Sequence, residues 1–382
     1  MTLREKIVAE IRERGPIPFS RYMELCLYDS DLGYYSRNVE QFGRAGDFYT
    51  SSDVHAVFGR LLARQFEEMW RVLGHPGEIE ILELGPGRGL FAQDVLDWSE
   101  KKFPRFFEAL RYSLIERSVS LRERLQVTLR RHFASGKASM PERLKPEGPL
   151  LGRVLAPEVP LIVFANEFFD ALPVEILSSQ GSLYISERDG AFIETWAPAS
   201  DEELSFLDRY SVHPEAEERV ESPLLAQDYM LAIAGAVWRG FVIAIDYGYT
   251  RQEQIAGRHR GTLTTYRQHS ASANPYEAPG EQDITAHVNF TALAAVAERD
   301  GMLVQPLITQ FQLLMEIGEN NQFADAFEDT RLPQERAKVG LQLKHLVTPA
   351  GMGETFQVLV CSRGLKPEQT AGLRGLSFKS RL

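Results

Sequence analysis

Seven consecutive residues, Glu83-Leu84-Gly85-Pro86-Gly87-Arg88-Gly89, combine one carboxylate with three glycines. Gly85 and Gly87 permit backbone conformations, and a close approach, that a Cβ would block. The run follows the β-prone stretch Ile79-Glu80-Ile81-Leu82-Glu83 and precedes a helical pattern over 90–101. In a doubly wound sheet, a ligand lies across the carboxyl end of the strand at such a turn. Glu116 closes a second β-prone stretch, Tyr112-Ser113-Leu114-Ile115-Glu116, 27 positions after Gly89. An acid there is placed to accept both hydroxyls of a ribose. The alternative for Glu116 is a solvated acid at a strand end.

The spacing restricts the ligand. A dinucleotide turn is G-x-G-x-x-G, whereas here the third glycine comes one residue early and Leu90 follows. A P-loop needs Lys before Ser or Thr, and no Lys follows this turn. The pattern E-x-G-x-G-x-G resembles the turn of class I S-adenosylmethionine (AdoMet) methyltransferases. Its acid suits a ligand with a cationic amino-acid portion and no pyrophosphate. Other chemistries lack their residues. There is no G-x-S-x-G elbow, no H-E-x-x-H, and only two cysteines, Cys26 and Cys361, so no metal site is expected.

The chain has 382 residues, 44% apolar, with 42 basic and 53 acidic side chains and a net charge of −11. This balance speaks against a nucleic-acid coat or a polybasic membrane binder. No run approaches 18 apolar residues, so no membrane insertion is expected. Residues 1–15 mix Arg4, Glu5, Lys6, Glu10, Arg12 and Glu13. That suits neither a signal peptide nor an acid-poor transit peptide. A cytoplasmic protein is the expectation.

The elements that must position the glycine turn are legible as patterns. Leu161-Ile162-Val163-Phe164-Ala165 and Phe241-Val242-Ile243-Ala244-Ile245 are apolar at every position. Such strands are covered by helices on both faces, which predicts an α/β fold with a mainly parallel sheet. Thr355-Phe356-Gln357-Val358-Leu359-Val360 reads as a late strand returning antiparallel. Residues 1–74 read as a helical cover and 75–382 as the core, with insertions at about 181–235 and 247–289. The helix over 54–73 has Ser52 or Asp53 as a cap and Gly74 as its stop. Gly59 inside it implies either a close neighbour or a tolerated cost of about 1 kcal/mol. Residues 181–200 suggest a hairpin. Residues 247–289, carrying Tyr266, His269, Tyr276 and His287, suggest a lid. Tyr34 and Tyr35 read as core residues.

Several blocks together resemble one family, the MidA-like methyltransferases, which include a mitochondrial complex I assembly factor that methylates an arginine. The blocks are Pro18-Phe19-Ser20-Arg21-Tyr22-Met23, Gly33-Tyr34-Tyr35, Gly46-Asp47-Phe48-Tyr49-Thr50-Ser51-Ser52 and the glycine turn. They continue with Asn166-Glu167-Phe168-Phe169-Asp170-Ala171-Leu172-Pro173, Ile245-Asp246-Tyr247-Gly248 and Gly261-Thr262-Leu263. They end with Asp283-Ile284-Thr285-Ala286-His287-Val288 and Met352-Gly353-Glu354. The Asn166 to Pro173 and Asp283 to Val288 blocks are the most specific to the family. The absence of a transit-peptide pattern points to a bacterial relative.

The resemblance implies a class I, Rossmann-like methyltransferase fold and AdoMet as cofactor. It implies a protein acceptor, such as a respiratory-complex subunit, methylated at arginine. Glu83, Gly85, Gly87, Gly89 and Glu116 would then hold the cofactor, with Phe48 and Thr50 folding over it. An arginine is protonated at neutral pH, its pKa lying above about 12. Carboxylates bind a guanidinium bidentately, and one can take its proton as the methyl arrives. Glu167 and Asp170 are the expected guanidinium partners, with Asn166 orienting the acceptor or the AdoMet amino group. Asp170 has the alternative of capping a turn. Asp246 is a weaker candidate, and His287 a base or lid contact. Asn289 stands where the family pattern suggests an acid. An AdoMet-binding assembly scaffold and a small-molecule methyltransferase are the alternative functions.

Overall fold

Ile79–Leu84 (β1) is buried at every position. Successive side chains of a strand point to opposite faces. Ile79 and Ile81 therefore enter one apolar cluster, while Leu82 and Leu84 enter another. The computed structural model describes residues 1–37, 56–141, 158–255, 259, 261–267, 270–319, 321–348 and 353–377. Beside β1 run Leu110–Ile115 (β2), Leu161–Asn166 (β3) and Gly240–Tyr249 (β4), all parallel, and Phe356–Arg363 (β5), antiparallel to β4. The spatial order is β5-β4-β3-β1-β2, with Leu303–Val304 beside β5 and Ala138–Ser139 beside β2. The expected α/β sheet and its late antiparallel strand are both present.

The order reverses at β1. The chain leaves β1 toward β2 on one side and returns to β3 on the other. Such a switch point opens a crevice at the carboxyl ends of the two central strands. The glycine turn leaves β1 there, and Asn166 to Asp170 leave β3.

Helices cover both faces. Val57–Val72, Leu90–Lys102, Gln310–Glu319 and Pro333–Val347 contribute to one cluster; Leu224–Ala236 and Phe290–Arg299 contribute to the other. Phe164 of β3 stacks on Phe91 at 4.4 Å and meets Phe66 edge-on at 5.7 Å. Each fully buried ring of this kind contributes roughly 1.5–3 kcal/mol. Gly59 is explained by the crossing of two helices: a Cβ there would lie 2.5 Å from the Cβ of Asp94. The helix ends before Gly74, whose φ is +87°. It starts at Val57, and the expected caps Ser52 and Asp53 lie outside the described residues.

Residues 1–74 are not helical throughout. Ile17–Pro18 is a short strand between the helices Leu3–Arg14 and Phe19–Tyr28. Pro16 and Pro18 deny the backbone N–H groups a continuous helix would use. This strand pairs with Gly181–Arg188, which also pairs with Ala191–Ala197 as the expected hairpin. Glu175–Ser178 and Val220–Ser222 complete this accessory sheet. Within 247–289, Thr264–Arg267 pairs with both Ser270–Ser272 and Asp283–Thr285. The N-terminal helices reach this segment directly. Tyr22 OH donates to the Pro275 carbonyl at 2.9 Å, and Arg4 donates to the Tyr276 carbonyl at 2.7 Å.

Candidate active site

The turn after β1 needs its glycines. Gly85, Gly87 and Gly89 have φ of +64°, +53° and +79°, a region costly for residues with a Cβ. Gly89 also forms the start of the helix Leu90–Lys102, whose first N–H groups face the turn. The Gly85 N–H donates to the Ile115 carbonyl at 3.0 Å, so the ends of β1 and β2 are tied. Glu116 follows at once. Its Oε1 accepts the Ser118 N–H at 2.9 Å. Desolvation pushes this carboxyl up to about 7, against the pull of backbone N–H groups of Ser118, Gly87 and Arg117. The carboxylate read as a ribose acceptor therefore sits beside the glycine turn.

Glu83 lies on the sheet, 5% exposed, where Oε2 accepts the Tyr112 hydroxyl at 2.8 Å. Burial pushes its carboxyl up to about 8, with Glu116 adding repulsion. Phe48 and Thr50 lie outside the described residues.

The loop leaving β3 builds the other half. Glu167 has φ of +50°, unusual for a side-chain-bearing residue and of the kind concentrated at active sites. Its N–H donates to the Ile245 carbonyl at 3.0 Å. Asn166 donates through Nδ2 to Glu167 Oε1 at 3.0 Å, while its buried Oδ1 has no hydrogen-bond partner among the described residues. Asp246, in the carboxyl-terminal half of β4, folds this loop. Its Oδ2 accepts the N–H groups of Phe168, Phe169 and Asp170 at 3.2, 2.9 and 3.2 Å. Its Oδ1 accepts that of Tyr247 at 2.9 Å.

Asp170 is 7% exposed, and its Oδ1 has no partner among the described residues. Burial holds its carboxyl well above the usual range, with Asp246 and Asp283 adding repulsion. Asp283 comes from the 247–289 insertion. Tyr35 OH donates to its Oδ1 at 3.0 Å, and the Ala286 N–H ties that strand to the Asp170 carbonyl at 3.0 Å. Four acids from three segments thus share one place: Glu167, Asp170, Asp246 and Asp283. Asp283 was not singled out from sequence. The signal for it was the D-I-T-A-H-V block itself, whose acid had no visible partner. His287 from that block lies over Tyr247, ring centroids 6.2 Å apart. Asn289 is a cap: its Oδ1 accepts the Ala292 N–H at 3.0 Å and its Nδ2 donates to the Tyr210 carbonyl. A capping role suits Asn as well as Asp, which accounts for the departure from the family pattern.

A family model described as "Putative S-adenosyl-L-methionine-dependent methyltransferase" matches residues 61–308. The chain belongs to this family. Among relatives of this AdoMet-dependent methyltransferase is the mitochondrial protein arginine methyltransferase NDUFAF7 homolog of Drosophila melanogaster. It is 27% identical over 95% of this chain and 85% of its own length. The human protein arginine methyltransferase NDUFAF7 is 26% identical over 92% of this chain and 81% of its own. A solved structure from Burkholderia thailandensis, bound to S-adenosyl-homocysteine, has a TM-score of 0.83 at 27% identity, covering 98% of this chain and 94% of that one. These agree with the resemblance to MidA-like methyltransferases. The cofactor is AdoMet.

The residues present fit that cofactor. The turn at the carboxyl end of β1 has the positive φ that glycine adopts readily, Glu116 offers a carboxylate for ribose hydroxyls, and the orphaned Asn166 Oδ1 can accept from an ammonium. When bound, AdoMet supplies an electrophilic methyl group on a sulfonium. The chain supplies orientation, largely through positioning of the donor against the acceptor.

Proposed function

We propose that this methyltransferase acts on an arginine of a protein acceptor. The observation that carries the reading is Asp170: a buried carboxyl with one oxygen unpartnered among the described residues, crowded by Asp246 and Asp283. Buried like charges disfavour ionisation, and a cation placed among them restores it. A guanidinium is such a cation, and its planar fork matches a carboxylate bidentately. The relatives named above, protein arginine methyltransferases, support the same substrate class.

In this reading Glu167 and Asp170 bind and orient the guanidinium, and Asn166 aligns it or the cofactor's amino group. Asp246 holds the loop that carries them. One carboxylate takes the proton that the guanidinium nitrogen gives up on methylation.

Incubation with isotopically labelled AdoMet and a cell extract, followed by mass spectrometry, tests the proposal. The label is expected on arginine. Glu167→Gln keeps the shape and removes the charge, and should cost roughly 1.5–3 kcal/mol, about ten- to a hundred-fold in rate. AdoMet binding should survive. A neutral small-molecule acceptor, or full arginine methylation by the Glu167→Gln, Asp170→Asn double variant, would overturn the assignment. A wild type that binds AdoMet and methylates nothing would favour an assembly scaffold.

A further inference from the structure

Tyr35 touches both halves of the site. Its carbonyl oxygen accepts the Ser118 hydroxyl at 2.6 Å, and the Ser118 N–H donates to Glu116 Oε1 at 2.9 Å. Its own hydroxyl donates to Asp283 Oδ1 at 3.0 Å. A hydrogen-bonded chain therefore runs from Glu116 through Ser118 and Tyr35 to Asp283. The Tyr35 ring packs on Tyr28 with centroids 5.5 Å apart, and the Tyr28 hydroxyl donates to the carbonyl of Ala171, next to Asp170, at 2.9 Å. The sequence suggested a plain core residue. Tyr35 is instead half-buried, at the edge of a cavity of about 320 Å³ that it lines with Tyr28, Arg117 and Ser118.

We propose that Tyr35 is a positioning residue that couples occupancy of the cofactor site at Glu116 to the placement of Asp283 in the acid cluster. The role given to Asp283 rests on the acceptor reading above; the coupling itself does not. Ribose hydroxyls donating to Glu116 fix the carboxylate that also holds the Ser118 N–H. Ser118 in turn fixes the turn Tyr34–Ser36 through its hydroxyl. The phenol of Tyr35, the middle residue of that turn, then holds Asp283. Coupling of this kind is reciprocal: a cation bound among the acids strengthens AdoMet binding by the same factor.

Hydrogen exchange followed by mass spectrometry on the full chain, with and without saturating AdoMet, tests the coupling without any acceptor. In the wild type, AdoMet should slow exchange across 283–289 by about fivefold or more. Tyr35→Phe keeps the ring and removes the hydroxyl. It should lose most of that protection while its calorimetric affinity for AdoMet stays within about threefold. Ser118→Ala cuts the other end of the chain and should give the same loss at 283–289, so either variant carries the test should the other fail to fold. Unchanged AdoMet-dependent protection in Tyr35→Phe, or none in the wild type, would overturn the coupling. A wild type showing protection yet placing no label on arginine would remove the acceptor reading and leave the coupling standing.

Discussion

The carboxylate of Asp246 accepts the backbone N–H of Asp170 at 3.2 Å. A residue inside one strand thereby sets the course of the loop that leaves the neighbouring strand. Asp246 is fully buried, and burial and Glu167 both push its carboxyl up, while the backbone donors pull it down. Its work is to shape the acid cluster from beneath.

Asp246→Ala should accordingly act first on stability. It strands four N–H groups, those of Phe168, Phe169, Asp170 and Tyr247. The expected loss is about 3–5 kcal/mol. Asp246→Asn retains one acceptor oxygen and should lose less. Urea unfolding midpoints compare the three proteins; equal midpoints would mean that the donors find other partners.

Gly87→Val should remove AdoMet binding from a folded protein. Position 87 has φ of +53°, which a β-branched residue adopts poorly, and the added side chain would occupy the turn proposed to hold the cofactor. Calorimetry on a variant with intact near-ultraviolet dichroism reads this directly. Retained wild-type affinity would move the cofactor elsewhere.

AdoMet affinity should rise with pH toward about 7 and level off above it, following Glu116. In the proposed role the ionised carboxylate accepts the two ribose hydroxyls, and its protonation below that pH would cost up to about tenfold in affinity per unit. Glu116→Gln should bind more weakly and with a flatter profile. Dissociation constants across that range decide the matter, and an identical slope in both proteins would exclude Glu116 as the titrating group.

Glu83 should make the free protein's stability fall as pH rises. Its folded carboxyl is pushed up to about 8 from the ordinary 4.5, so between those values the folded state holds a proton that the unfolded state has lost. Stability then decreases with pH through the window. Glu83→Gln holds no titrating proton, so the wild type should lose ground to it steadily from the low end of the window to the high end. Parallel chemical denaturation of both proteins measures the difference, and a constant gap would show that Glu83 ionises normally.

What was legible in the sequence was mostly local. Three glycines in seven residues after an apolar strand announced a turn with positive φ, and the turn has it. Strands apolar at every position announced helices on both faces. Gly59 signalled a close neighbour without naming Asp94, because a helix crossing joins residues far apart in sequence. The same distance hid Asp283. Its partner Tyr35 lies 248 residues earlier, and neither residue's own surroundings announce the pairing. Ile17–Pro18 was lost in a helical segment because its strand partner, Gly181–Arg188, supplies the hydrogen bonds that make it a strand.

That long separation also sets a timetable for synthesis. Tyr35 leaves the ribosome well before Asp283, and Tyr22 well before Pro275, its partner 253 residues on. At about 5–20 residues per second, the early residues wait roughly 12–50 seconds for their partners. The apolar faces of Leu3–Arg14 and Phe19–Tyr28 first meet the strands Glu175–Ser178 and Gly181–Arg188, and Ile284 and Ala286 join that cluster only at the end of the interval. The wall of the acid cluster that Tyr35 and Asp283 share therefore closes late in synthesis, well after the N-terminal helices have met the strands at 175–188.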